Sequence, residues 1–473
     1  MTATARPRRG LRRLAAPPGK DGGVAEPALL AAIALGLVLA PLNSTMIAVA
    51  LPALATDFHV GIGGTGWLVV GYLIAMAVVQ PIAGGLGDGY GRRRVMLGAL
   101  GVFLAASLLA AAAPTFPALV GLRLGQAVAG ALIVPNGIAL VREWVPKARR
   151  GAALGLLGAA TGAAAGVGPL VGGLLVGLGG WRAIFVLNAP LVAAALLAGW
   201  SGLPRVGGRR AVHRFDLAGT ALLAGWLGGL ALVASAPAGT ATGLPMPVLA
   251  AATPALLAAF VWREARAARP VVRLALFRER AFAGACAASA LGNLAMYATL
   301  LAVPQFLTLV ERRPSAEVGL VLSALSLPLV VLAPLAGRLA DQLGRRPVAL
   351  GGGALALAGF APLLRLAPGW SPWLLAAPLL VAGCGLALGT PAIQAAAIEA
   401  VAVRHAGMAS GVFSTSRYLG SIVGSAVLAG LLGPATIAAG GFRDVFAMVA
   451  VAALGALAAC ALLSGRASPA PGA

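Results

Sequence analysis

Few side chains in this 473-residue chain could do chemistry, and they recur in a pattern. Asp88, Arg92 and Arg93 lie in Gly84-Gly85-Leu86-Gly87-Asp88-Gly89-Tyr90-Gly91-Arg92-Arg93-Arg94, and the stretch returns as Gly337-Arg338-Leu339-Ala340-Asp341-Gln342-Leu343-Gly344-Arg345-Arg346-Pro347. Glycine lets the chain turn tightly between two helices. The aspartate can accept N–H groups at a helix start or pair with a nearby arginine. That is the chemistry of ion pairs formed and broken, with no covalent bond made. Each copy sits between two long apolar runs. One copy alone would read as a charged turn. Two copies mark a chain of two related halves, which is how secondary transporters build two conformations around one site.

Two more charges, Arg123 and Arg417, fall inside apolar runs. A charge near the middle of a membrane helix costs roughly 2.5–3.5 kcal/mol on insertion scales, so such a residue faces the bundle interior or water. Arg417, nearer an end, can instead snorkel toward the interface. Polar groups that could line a central cavity are Asn43, Thr45, Gln80, Gln126, Asn136, Asn188, Asn293, Tyr297, Gln305 and Gln394, and each could equally hydrogen-bond between helices. The carboxylates, Asp57 and Asp88 among them, all fall at or near the edges of the apolar runs. As a set, these residues suggest a mostly apolar cavity with scattered hydrogen bonders, suited to amphipathic molecules that are neutral or anionic.

The elements that must position these residues follow from composition. The chain is 60% hydrophobic with a mean hydropathy of +0.94, and only 10% of its residues are charged; a soluble domain carries about 25%. Fourteen runs approach or exceed the length that spans a bilayer core. They lie near 28–52, 66–86, 95–113, 117–141, 152–178, 183–203, 217–236, 247–262, 281–309, 317–337, 347–366, 373–398, 408–431 and 443–464. With the N-terminus inside, 28 of the 35 Lys and Arg fall on the inner side, five fall outside and two lie within spans. That asymmetry places both termini in the cytoplasm. The net charge of +22 is therefore a topology signal, with contact to anionic lipid headgroups as a by-product, and it does not point to nucleic acid.

The fold expected is all-α and integral to the membrane: a basic disordered tail over 1–27, a six-helix bundle over 28–203, a linker with two additional spans over 204–280, a second six-helix bundle over 281–466 and a short tail over 467–473. Gly158, Gly162, Gly166, Gly168, Gly172 and Gly173 give the fifth span a seam for close helix approach, and Pro169 bends it. That span reads as the helix of the conformational change. Cys286, Cys384 and Cys460 are isolated and apolar in setting. No nucleophile–base pair or metal-ligand cluster is present. Gly351-Gly352-Gly353 lacks the Lys-Ser/Thr of a phosphate loop. Neither an enzyme nor a cofactor is expected.

The repeated loop resembles the signature of the major facilitator superfamily, and further motifs resemble its fourteen-span drug:proton antiporter branch. Leu42-Asn43-Ser44-Thr45-Met46-Ile47-Ala48-Val49-Ala50-Leu51-Pro52 is similar to the first-span L-D-x-T-I-V-N-V-A-L-P pattern. Leu119, Arg123, Gln126 and Gly130 resemble L-x-x-x-R-x-x-Q-G, with Ala127 where Gly is usual. Gly168-Pro169-Leu170-Val171-Gly172-Gly173 resembles the antiporter motif G-P-x-x-G-G, and Trp181 to Pro190 resembles W-R-W-I-F-x-I-N-x-P. The resemblance runs from about 28 to 464. It implies proton-coupled efflux through alternating access, with Arg123 in the coupling and the two repeated loops as the cytoplasmic gate. Asn43 stands where the family pattern has Asp, and Asn cannot titrate. The coupling group must then be a gate or edge acid, Asp88 or Asp57, unless protons do not drive the carrier.

The reading is a monomeric plasma-membrane carrier that exports amphipathic small molecules, drugs or toxic metabolites. The alternatives are a metabolite carrier without proton antiport and, remotely, a non-transporting sensor or scaffold.

Overall fold

Gly91 and Gly344 both adopt φ of 94°, a left-handed conformation that favours glycine. Each is a one-residue joint between two helices: Trp67–Tyr90 and Arg92–Ala111 around Gly91, Ser315–Leu343 and Arg345–Phe360 around Gly344. This corrects the expectation of a glycine-built loop over 84–94. Gly84 and Gly337 lie inside helices, and a Cβ at either would meet nothing within 4 Å. The duplication extends to a helix start. Thr115 caps the helix Phe116–Trp144 through the Ala118 N–H, and Ser371 caps Pro372–Glu399 through the Leu374 N–H, each with proline in the first turn.

The structure, a computed structural model, describes residues 26–205, 216–235, 245–267, 270–402, 406–431 and 441–464. Most of the basic tail, residues 206–215 of the linker and the C-terminal tail fall outside that set. The long helices are α1 (Glu26–Asp57), α2 (Trp67–Tyr90), α3 (Arg92–Ala111), α4 (Phe116–Trp144), α5 (Lys147–Gly179), α6 (Arg182–Gly202), α7 (Leu217–Ser235), α8 (Met246–Arg266), α9 (Arg280–Gln305), α10 (Ser315–Leu343), α11 (Arg345–Phe360), α12 (Pro372–Glu399), α13 (Ala406–Leu431) and α14 (Gly441–Cys460). Among the described residues, thirteen of these helices are long and apolar enough to cross a membrane. The other, α13, carries Arg417 and a series of Ser and Thr along its length. Large apolar side chains stay exposed on the outside, Leu178 at 88%, Leu197 at 74% and Val451 at 70% among them, as lipid-facing positions require.

Packing repeats with the sequence. In the first bundle α1 packs on α5 and α6, and α4 on α2 and α3. In the second, α9 packs on α13 and α14, and α12 on α10 and α11. Two seams join the bundles, α5 against α10 and α2 against α13, and the duplication exchanges one for the other. Helix α5 divides its glycines between two faces. A Cβ at Gly172 would come within 2.9 Å of the Met46 Cα on α1, and one at Gly168 would overlap the Thr45 hydroxyl. On the other face, a Cβ at Gly173 would stand 3.0 Å from the Gly319 Cα on α10 and collide with the Ser315 carbonyl, while one at Gly166 would lie 2.9 Å from the Ser326 carbonyl. About two and three turns before Gly166, Gly158 and Gly155 have nothing within 4 Å. The α5/α10 seam is thus shut from Gly166 to Gly173 and loosens toward the start of α5.

The two added helices form a hairpin. Helix α7 lies on α2 and α13, across the second seam, and α8 packs on α7. Asp216, just before α7, binds Arg263 of α8 at 3.0 Å and receives the Gly219 N–H at 2.9 Å. These contacts, Arg263 first, hold its carboxyl below the ordinary carboxylate range despite partial burial. A depressed acid stabilises the fold above its unfolded-state pKa and loses that contribution as pH falls through the folded value. The hairpin contact should therefore persist at neutral and mildly acidic pH and weaken only in strong acid. Asp216→Asn should lower thermal stability modestly at pH 7 and remove the difference from wild type at low pH, checked by melting curves in detergent.

Candidate functional site

The repeated motif is an ion-pair hub built twice. Arg92, at the start of α3, donates to Asp88 at 2.5 Å in the last turn of α2 and to Glu143 at 3.0 Å near the end of α4. Arg345, at the start of α11, donates to Asp341 at 2.6 Å and to Glu399 at 2.9 Å at the end of α12. The arginine side chains are 15% and 19% exposed and the four carboxylates 36–67%, so each arginine is the buried centre of its triad. Exposed pairs of this kind contribute about 0–1 kcal/mol each. Their effect is positional: each triad ties the end of one hairpin to a third helix on the same face. Arg93 adds a fastening to α6, donating to the Trp200 carbonyl at 2.7 Å and to the Leu203 carbonyl. Arg346 is exposed.

Deeper in the first bundle lies a second cluster. Arg123 is 1% exposed. Its Nη1 donates to Asn43 Oδ1 at 2.8 Å on α1 and to Gln126 Oε1 at 3.0 Å. Gln126 in turn donates to Ser107 at 2.7 Å on α3, and Ser107 to the Phe103 carbonyl. The guanidinium stacks over the Tyr72 ring of α2 with 4.5 Å between Cζ and the ring centre, a cation–π contact. One side chain thus joins four helices. Arg123 lies within the fourth span, in the second turn of the 29-residue α4. Next to Asn43, the Ser44 hydroxyl meets the Tyr297 hydroxyl at 3.2 Å and bridges α1 to α9 between the bundles. Arg417 stacks on Tyr418 at 5.4 Å in α13. Among the described residues no carboxylate pairs with either intramembrane arginine.

The other candidates lie apart from this cluster. Thr45 bonds the Pro41 and Leu42 carbonyls of its own helix and packs against Gly168. Asn136 donates to the Ala83 carbonyl at 3.0 Å, clamping α4 to α2 beside Gly87. Asn293 donates to the Ser289 carbonyl, and Gln305 is buried with its Oε1 unpaired. Asp57 closes the C-terminal end of α1 onto α6, accepting from Trp181 Nε1 at 2.8 Å and Arg182 at 2.9 Å. Asp57→Ala should loosen that corner and lower thermal stability with little effect on which compounds are handled, checked by melting and a resistance panel. A crevice of about 270 Å³ between α2, α3 and α4, lined by Leu86, Tyr90, Arg94, Val102, Val128 and Leu132, opens on the outside of the bundle, away from the cluster.

Sequence reasoning missed the acids that complete the triads, reading Glu143 and Glu399 as edge charges. The available signal was their placement 51 residues after Arg92 and 54 after Arg345. Ser107, Tyr72 and Ser44 gave no signal, because a lone hydroxyl in an apolar run looks like any packing residue.

The major facilitator superfamily model matches residues 33–425 and 285–473. The chain is 34% identical over 405 residues to the multidrug resistance protein Stp of Mycobacterium tuberculosis, covering 85% of this chain and 75% of that protein. It is 31% identical over 405 residues to the tetracenomycin C resistance and export protein of Streptomyces glaucescens, with the same coverage. A solved peptide transporter of the POT type, in complex with sulfate, shares the fold with a TM-score of 0.68 at 16% identity, over 92% of this chain and 95% of that one. Two bundles related by an internal repeat, an ion-pair triad built twice and these likenesses together place the chain in the Major Facilitator Superfamily, as a multi-pass membrane transporter.

Proposed function

We propose that this transporter exports amphipathic small organic molecules across the plasma membrane by alternating access, as a monomer with both termini in the cytoplasm. The observation that carries the cycle is the pair of exchangeable seams. α5 and α10 meet backbone to backbone on the outer half and loosen inward, which is the contact a rocking pair of bundles would make and break. The Asp88–Arg92–Glu143 and Asp341–Arg345–Glu399 triads lock the inner ends, with Gly91 and Gly344 as joints. The likeness to proteins named for multidrug resistance and for antibiotic export supports the substrate class and the direction.

We assign the coupling to protons, taken up at Asp88. Protonation would remove one of the two carboxylates that share Arg92 and so free the end of α2 from the Arg92–Glu143 pair that joins α3 to α4. In everted vesicles, an exported compound should discharge a preformed pH gradient with wild type and should not with Asp88→Asn. One observation favours a second reading, a carrier that is not proton-driven. Asn43 holds the position facing Arg123, and no titratable acid lies within that cluster. Accumulation that continues unchanged after the pH gradient is collapsed would select this reading over antiport.

A further inference from the structure

We infer that Arg123 is the heart of an anion-binding site, and that the ligand class this transporter takes there is a small monovalent anion, an organic carboxylate or a halide. The inference deepens the export reading and rests on it for the organic ligand. It starts from an imbalance of donors. A guanidinium carries five N–H groups and one permanent positive charge. Only Nη1 has partners, the neutral carbonyl oxygens of Asn43 and Gln126. The Nε and Nη2 of Arg123 are buried without a hydrogen-bond partner, and so are Nδ2 of Asn43 and the hydroxyl of Tyr72. Four buried groups able to donate, on Arg123 and two side chains that touch it, thus lack an acceptor beside a charge that no carboxylate balances. Burying such a charge is costly unless it is paired.

The surroundings exclude an internal counterion. Among the described residues, the carboxylates with ion-pair partners, Glu26, Asp57, Asp88, Glu143, Asp216, Glu317, Asp341 and Glu399, pair with other arginines at helix ends. Glu264 binds the Val272 N–H and Glu311 the Gly369 N–H. The residue that could have supplied a carboxylate, at position 43 with its oxygen 2.8 Å from Arg123, is an amide. An amide accepts from the arginine while presenting N–H donors of its own, so it adds to the donor set where an aspartate would have filled it. Across the bundle interface Tyr297 of α9 meets Ser44, the neighbour of Asn43. Carboxylates accept bidentate bonds from a guanidinium, and a halide accepts from several converging donors.

The test uses the purified full-length protein in nanodiscs, in halide-free HEPES, with thermal unfolding and equilibrium binding as readouts. The probes are benzoate, its neutral near-isostere benzamide, and potassium chloride. Benzoate should bind about tenfold more tightly than benzamide, the gain expected of one charge-assisted pair. Asn43→Asp supplies the counterion covalently, so it should raise the melting temperature in halide-free buffer and cut the benzoate preference to near one. Arg123→Gln should abolish the preference as well. Should that variant fail to fold, Asn43→Asp alone decides. A benzoate response without a chloride response assigns the site to organic substrate anions. A chloride response alone, lost in Asn43→Asp, assigns it to an inorganic counterion. A response to both assigns a shared site. Response to neither in wild type, or a benzoate preference that survives Asn43→Asp, overturns the anion site. Export measured in the same preparations keeps the two readings separate. Export without anion binding sinks only this inference, and anion binding without export sinks only the exporter.

Discussion

Valine in place of Gly173 should reduce export at least about tenfold while the protein still inserts and reaches the membrane. The position has no room for a side chain. A Cβ there would collide with the Ser315 carbonyl and sit 3.0 Å from the Gly319 Cα and 3.2 Å from its N. These are backbone atoms of a neighbouring helix and cannot move aside as a flexible side chain would. Overpacking a close contact typically costs 1–3 kcal/mol, and here the strain falls on the state in which the outer seam is shut. The carrier should then be biased toward the opposite state, in which α5 and α10 part at that end. Gly101→Val on α3 is the control, because a Cβ there meets nothing within 4 Å and the residue is exposed. The readout is efflux of a fluorescent amphipathic compound, normalised to surface expression. Equal export by the two variants would remove α5/α10 contact from the transport cycle.

The second large effect is expected at the inner triads. Arg92→Ala leaves Asp88 and Glu143 as two like charges without their shared partner, and Arg345→Ala does the same to Asp341 and Glu399. Each should cost most of the export activity but little stability, since pairs this exposed contribute about 0–1 kcal/mol to folding. The double variant should be inactive. The discriminating measurement is the charge exchange Arg345→Glu with Glu399→Arg. It restores an opposite-charge pair between α11 and α12 and should recover part of the export lost in Arg345→Ala. Recovery would show that the link between helices matters and not the arginine at that position. A fully active Arg92→Ala, Arg345→Ala double variant would deny the triads any part in gating.

Much of the architecture was legible in the chain. Runs of about 20 apolar residues and the repeated motif determine helix number and duplication, because lipid forces each span to satisfy its own backbone. What could not be read was which residues meet across space. Arg92 finds Glu143 through the return of α4, and that depends on how α4 crosses α2 and α3. The glycines of α5 read as one seam, yet Gly168 and Gly172 serve α1 while Gly166 and Gly173 serve α10, and only the helix rotation separates the two sets. Arg123 was marked by its charge alone. Its neighbours Ser107 and Tyr72 carry none, so nothing in the linear order singled them out.

The hairpin of α7 and α8 has a consequence for how cargo meets the carrier. Because α7 rests on both α2 and α13, it occupies one flank of the cleft between bundles, while among the described residues no added helix covers the α5/α10 flank. The duplication would by itself give a molecule with two equivalent lateral portals to the lipid. The inserted pair makes the two unequal. Approach from the bilayer is thus screened on one flank by an extra helix pair and on the other only by the backbone contact of the seam itself.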